Sequence, residues 1–372
     1  MTAIPNRFEA LDSWRGICAL MVALLHFEAF SHSKDLPFFN DAYLFVDFFF
    51  VLSGFVIAAN YRQRLANDFG IGKFMLMRFG RLYPLYFVIL LALFLLELFQ
   101  SANAFSRPDR SVASLIASTF LLQSFGTFHA LSWNAPGWSI ATEFWTCLLF
   151  AIACSFWPKR MTIITIAAAA FSLGLIAMLS KFGMNVTYDY GMLRCIAGFS
   201  IGVLTFAIWQ KISPFQFDER LAFVLEIISV LSVVLFVAIA KQDQISIVAP
   251  LLFAVVVLIF AAEGGPISKL LRLSPFLFLG ALSYSIYIVH LLIETVLVDF
   301  IEFISTNYDL PLVSKFQREN EVVDMLGLTQ SQGDLWVIVL LGLVVAVSAM
   351  TYHFIEVPSR RWFRSLAQTE RP

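Results

Sequence analysis

The chain has 372 residues, of which 59% are apolar and only 14% charged, with a mean hydropathy of +0.80 and a formal net charge of −1. That composition excludes a soluble domain, and long apolar runs recur throughout, so the expected class is an all-α polytopic membrane bundle forming a single integral-membrane domain with no soluble appendage. The near-neutral charge carries no sign of a nucleic-acid partner; in this class the distribution of Lys and Arg is what informs.

The first apolar run, Leu11 to Phe30, holds Arg15 near its start and His26 toward its far end. Eleven residues at about 100° each return His26 to nearly the face of Arg15, and at ~1.5 Å per residue the two lie roughly 16 Å apart. Arg7, Glu9 and Asp12 precede the run and no small-residue cleavage pattern follows it, so it reads as an uncleaved first span. A second run, Tyr43 to Asn60, carries Asp47 and Ser53 and leads into a basic stretch with Arg62, Arg64, Lys73, Arg78 and Arg81. The positive-inside rule places that stretch in the cytoplasm, and the N-terminus with it.

A third span covers about Leu82 to Phe99. The next apolar segment, Val112 to Phe125, is short for a crossing and reads as re-entrant or interfacial. If it does not cross, Lys159, Arg160, Lys211, Arg220, Lys269, Arg272, Arg360, Arg361 and Arg364 all fall on the cytoplasmic side. The remaining spans are Trp138 to Trp157, Thr162 to Ser180, Gly191 to Trp209, Leu221 to Ala240, Ile245 to Ala262, Phe276 to Phe303 and Leu335 to Val357. The expectation is about ten transmembrane helices plus one short non-crossing helix, with both termini cytoplasmic, as in a protein of the cytoplasmic (inner) membrane. The long connection from Ile304 to Asp334 mixes apolar and charged residues and suits either an amphipathic helix acting as a lid or an interfacial connector.

Ionisable groups inside spans are costly and mark function or buried pairing. Arg15, Arg78 and Arg81 fall near the inner surface, where guanidinium groups suit phosphate through paired, charge-assisted hydrogen bonds. His26, Asp47 and Glu143 fall in the outer half. His290 lies near the middle of its span, on a stripe with Ser283, Tyr287 and Glu294. Histidines beside carboxylates can perform general-base chemistry, in which a carboxylate orients an imidazole that takes a proton from a hydroxyl. Cys18, Cys147, Cys154 and Cys195 sit in apolar helices and read as packing residues. With no HxxH, HExxH or CxxC pairing, no metal is expected.

Six motifs together resemble the acyltransferase-3 family of integral-membrane O-acyltransferases. They are LDSWRG (11–16) with His26 completing an Arg-x10-His pattern, DFFFVLSGF (47–55), RFGRLYPLY (78–86), GWSIATEFW (137–145), SYSIYIVH (283–290) and FIEVPSRRW (354–362). The resemblance implies an acyl-CoA donor, usually acetyl-CoA, entering from the cytoplasm. It also implies a hydroxyl acceptor on a glycan or other exported carbohydrate, including lipid-linked ones, and functional roles for Arg15, His26, Arg78, Arg81 and Glu143. On this reading Arg78, Arg81, Arg15 and Ser53 hold the donor. His26 acts as the base with Glu143 or Asp47 orienting it, and His290 is a further candidate for the chemistry. A covalent route through His26 or Ser53 is less economical. The rival class is a proton-coupled transporter or flippase, in which the same buried His and carboxylates form a relay; the inverted repeats expected of that class are not visible. Oligomeric state is not legible.

Overall fold

The computed structural model describes residues 7–100, 110–213, 218–318 and 321–369. The helices are α1 (Glu9–His26), α2 (Pro37–Asn40), α3 (Phe45–Ala66), α4 (Ile71–Gln100), α5 (Val112–Thr119), α6 (Gly137–Phe156) and α7 (Met161–Leu179). They continue with α8 (Gly191–Ile212), α9 (Glu219–Ala240), α10 (Ala249–Ala261), α11 (Pro266–Leu271), α12 (Ser274–Asn307), α13 (Gln330–Thr351) and α14 (Val357–Thr369). Among the described residues, nine helices are long and apolar enough to cross a membrane. The first of the ten expected spans, α1, is outside that nine. It is 18 residues long and carries Glu9, Asp12 and Arg15, yet its side chains are largely buried in the bundle. The short segment ahead of α6 is helical only over Val112–Thr119, eight residues, too few to cross.

The most extensive helix contact joins α1 to α12. Gly16 and Gly280 make it possible. A Cβ on Gly16 would stand 2.5 Å from the Leu279 backbone, and one on Gly280 would collide with the Asp12 carbonyl. Without side chains at these two positions the backbones touch, which is how small residues drive helix association in lipid. The second large contact, α3 against α8, encloses a buried ion pair described below.

Of the two readings of the connection from Ile304 to Asp334, the amphipathic helix is not what the chain forms. After α12 ends at Asn307, the chain forms an antiparallel hairpin of β1 (Val313–Arg318) and β2 (Glu321–Leu326), with Val313 opposite Leu326 and Phe316 opposite Val323. β-branched residues at Val313, Val322 and Val323 favour an extended chain over a helix. The hairpin is anchored where α1 ends: Leu326 N–H donates to the Glu28 carbonyl and Phe30 N–H to the Leu326 carbonyl, both at 3.0 Å. Phe30 and Phe316 add a ring contact at 4.8 Å. The same loop is tied to α13, where Asp334 accepts from His32 N at 3.0 Å and lies 2.7 Å from His32 Nδ1.

At the opposite end, α13 passes through a π-helical turn, Tyr352–Glu356, into α14. This turn carries Glu356 to Ser285 of α12, whose Oγ donates to Glu356 Oε2 at 3.2 Å, and Arg360 Nη1 donates to Glu356 Oε1 at 3.3 Å. α14 then lies against α4, with Phe363 packed over Gly80 and 5.5 Å from the Phe79 ring.

Candidate active site

Five of the sequence-derived site residues line one cavity: Arg15 of α1, Ser53 of α3, Arg78 and Arg81 of α4, and Glu143 of α6. The cavity encloses about 730 Å³ including its mouth, and Ser283, Tyr284 and Tyr287 of α12 complete its wall. Because α4 is helical from Ile71 onward, Arg78 and Arg81 lie one turn apart on neighbouring positions of the same face. The Tyr284 hydroxyl donates to the Leu82 carbonyl and so fastens α12 to this turn.

Glu143 Oε1 accepts from Arg78 Nη2 at 2.5 Å and from Ser53 Oγ at 2.6 Å, joining three helices around one carboxylate oxygen. Glu143 is therefore a partner of Arg78, and among the described residues no hydrogen bond ties it to His26. Arg15 has only a loose contact with Asp12, 3.4 Å from Nη2 to Oδ1. The Nε atoms of Arg15 and Arg78 are buried without a hydrogen-bond partner. Arg81 takes part in no ion pair within the described residues. Three guanidinium groups line this cavity beside Glu143, with Asp12 and Glu356 near its arginine end, and the unsatisfied donors that remain suit an anionic ligand such as a phosphate or pyrophosphate.

His26 closes the far end of α1. Its Nδ1 lies 2.8 Å from the Val22 carbonyl; a carbonyl only accepts, so Nδ1 carries the proton and Nε2 presents its lone pair. The continuous helix from Glu9 to His26 preserves the expected offset of roughly 16 Å from Arg15. His290 stands beside it, with ring centroids 5.1 Å apart, and Tyr287 links this pair to the cavity at 6.1 Å from the His290 ring. The stripe on α12 is buried as the sequence pattern implied: Ser283, Tyr287, His290 and Glu294 are all at most 5% exposed.

Asp47 is not brought to the histidines. It is fully buried against α8, where Arg194 Nε donates to Oδ1 at 3.0 Å and Nη2 to Oδ2 at 2.7 Å. Arg194 Nη2 also donates to the Tyr43 carbonyl at 3.0 Å, and the guanidinium lies 5.4 Å from the Trp138 ring centroid. A bidentate pair of this kind engages both carboxylate oxygens and commits Asp47 to α8.

Reading the sequence missed Arg194, Ser139 and Glu356. Ser139 Oγ lies 2.8 Å from the Tyr287 hydroxyl and 3.0 Å from the Pro136 carbonyl, which places the start of α6 against α12 at the cavity wall. The available signal for Arg194 was an arginine interrupting an apolar run at the depth of Asp47. For Glu356 it was a carboxylate inside the final span, one turn before Arg360.

A family model described as an acyltransferase domain matches residues 8–354. The chain is also 31% identical over 183 residues to "Protein 2 in picA locus" of Rhizobium radiobacter, a match that spans 45% of this chain and 94% of that protein. No solved structure matches.

Proposed function

Since this chain belongs to the acyltransferase-3 family and is a multi-pass membrane acyltransferase, we propose that it transfers an acyl group, acetyl in the first instance, from acyl-CoA to a hydroxyl of a glycan or other exported carbohydrate. The observation that carries this reading is the pairing of a three-arginine cavity with a histidine base at the other end of the same helix. The offset of roughly 16 Å between Arg15 and His26 is of the order of an extended pantetheine arm. The unpartnered Nε atoms of Arg15 and Arg78 are donors that a nucleotide phosphate would satisfy.

In this mechanism Arg15, Arg78 and Arg81 hold the donor by its phosphates, with Glu143 and Ser53 fixing Arg78 in place. Nε2 of His26 removes the proton from the acceptor hydroxyl as its oxygen attacks the thioester carbonyl. The carbon–sulfur bond then breaks, and the imidazolium returns the proton to the departing thiolate, so His26 ends as it began. The Val22 carbonyl serves this cycle by holding Nδ1–H, which fixes the tautomer and steadies the imidazolium. The basic residues Arg62, Lys73, Lys159, Lys211, Lys269 and Arg272 all flank the arginine end of the bundle, which supports a cytoplasmic donor side, cytoplasmic termini and an inner-membrane location.

The test is incubation of the purified full chain in nanodiscs with radiolabelled acetyl-CoA and a carbohydrate acceptor. His26→Ala should abolish acyl transfer while leaving CoA binding within a few-fold of wild type. Near-normal turnover in that variant removes His26 as the base. A wild-type protein that binds no CoA at all points instead to a transporter.

A further inference from the structure

The half of the α12 stripe nearest the arginines walls the cavity. The other half ends in two polar atoms sealed from solvent without a hydrogen bond: Nε2 of His290 and Oε2 of Glu294. His290 is 0% exposed and Glu294 is 5% exposed. His290 Nδ1 lies 3.2 Å from the Ile286 carbonyl, an acceptor, so its proton is on Nδ1 and Nε2 is a bare lone pair. His26 is held in the same tautomer by Val22, so the two rings, 5.1 Å apart, both present acceptor nitrogens.

Glu294 follows His290 by one helical turn on the same face. Its Oε1 accepts from the backbone N–H of Glu28 at 2.5 Å, which places the carboxyl beside the residues that follow His26. His290 Nε2 and Glu294 Oε2 have no hydrogen-bond partner among the described residues, so neither is satisfied by the other or by His26. The two ends of the site therefore have opposite needs: unpaired donors on the arginines call for an anion, and unpaired acceptors around His26 call for a ligand rich in hydroxyl protons.

We infer that His290 and Glu294 form the acceptor subsite and that it is built for a vicinal diol. This rests on acyl transfer with His26 as base. The reacting hydroxyl gives its proton to His26, while its neighbour on the same ring donates to the His290–Glu294 pair, whose two acceptors together fix which oxygen faces the thioester. A simple alcohol satisfies His26 alone and leaves the other two atoms unpaired. The hairpin is joined to the residues after His26 by the bonds of Leu326 to the Glu28 carbonyl and the Phe30 N–H.

The experiment compares cis-1,2-cyclohexanediol with cyclohexanol as acyl acceptors for the full chain in nanodiscs, reading thiol release from acetyl-CoA. The wild type should favour the diol at least tenfold in kcat/KM, through a lower KM. His290→Gln and Glu294→Gln should each erase that preference by raising the KM for the diol, with retained CoA binding showing that each variant is folded. Equal kcat/KM for the two alcohols in the wild type, a result that needs no variant, overturns the subsite and leaves acyl transfer standing. A diol preference that survives in both variants does the same. If the wild type releases no thiol with either alcohol or with a glycoside, acyl transfer itself falls and the subsite with it.

Discussion

Arg194 grips Asp47 with two parallel hydrogen bonds, 3.0 Å from Nε to Oδ1 and 2.7 Å from Nη2 to Oδ2, at the contact between α3 and α8. Both side chains are at most 1% exposed, so the pair is a structural element of the bundle. Removing one partner of a buried pair strands the other charge and costs about 3–5 kcal/mol. Asp47→Ala should therefore lower the Tm of the detergent-solubilised protein sharply, and Asp47→Leu combined with Arg194→Met should recover much of the loss. A variant Asp47→Ala with a normal Tm and no turnover would return Asp47 to the chemistry.

Glu143 should matter for donor affinity more than for the chemical step. Its Oε1 holds both Arg78 and Ser53, and hydrogen bonds to charged groups contribute about 1.5–3 kcal/mol each. Glu143→Gln should weaken CoA binding about 10- to 100-fold, on the scale of about 1.4 kcal/mol per tenfold. Isothermal titration with CoA measures this directly. An unchanged Kd with a collapsed kcat would show that Glu143 acts on the reacting atoms.

Gly16 sets how closely α1 approaches α12, and with it the spacing of His26 and His290. Gly16→Ala places a methyl 2.5 Å from the Leu279 backbone, where no flexible side-chain end can yield. Overpacking of this kind costs about 1–3 kcal/mol. The expected outcome is a lower Tm together with reduced turnover, because the two histidines move apart. Full turnover in a destabilised Gly16→Ala protein would show that the spacing is not critical.

Glu226 provides an internal control outside the cavity lining. Its carboxylate is 1% exposed and accepts from Gly265 N at 3.1 Å, Ile267 N at 2.8 Å and Ser268 Oγ at 2.5 Å, closing the start of α11. Each buried donor left unpaired costs about 1–3 kcal/mol. Glu226→Ala should lower Tm while the KM for acetyl-CoA stays at its wild-type value. A changed KM would reveal coupling between α11 and the donor site.

The spans and the motif residues were readable because hydropathy and spacing are local properties of the chain. Arg78 and Arg81 share a face for the same reason: three residues on a helix are always neighbours. Which carboxylate serves which cation was not readable, since sequence position assigns Glu143 and Asp47 the same expected depth and so does not separate them. The deciding term is lateral position, set by contacts such as α3 against α8 that join residues 147 apart in sequence. Arg194 held the missing information, as an opposite charge at the depth of Asp47. The hairpin escaped for a different reason: its mixture of apolar and charged residues fits an amphipathic helix, and only the β-branched content of 313–323 argues for strands.

The π turn at Tyr352–Glu356 makes the last helix a matter of counting. A π turn is an α-helix with one surplus residue, and each residue of helix is worth about 100° of rotation. Deleting a single residue there would restore a regular helix but swing α14 by about a quarter of a turn. Phe363 would leave Gly80, and the contacts of Glu356 with Ser285 of α12 and with Arg360 would be broken. Helix α14 is thus indexed to α4, which carries Arg78 and Arg81, by one extra amino acid, so that length in this stretch matters more than composition.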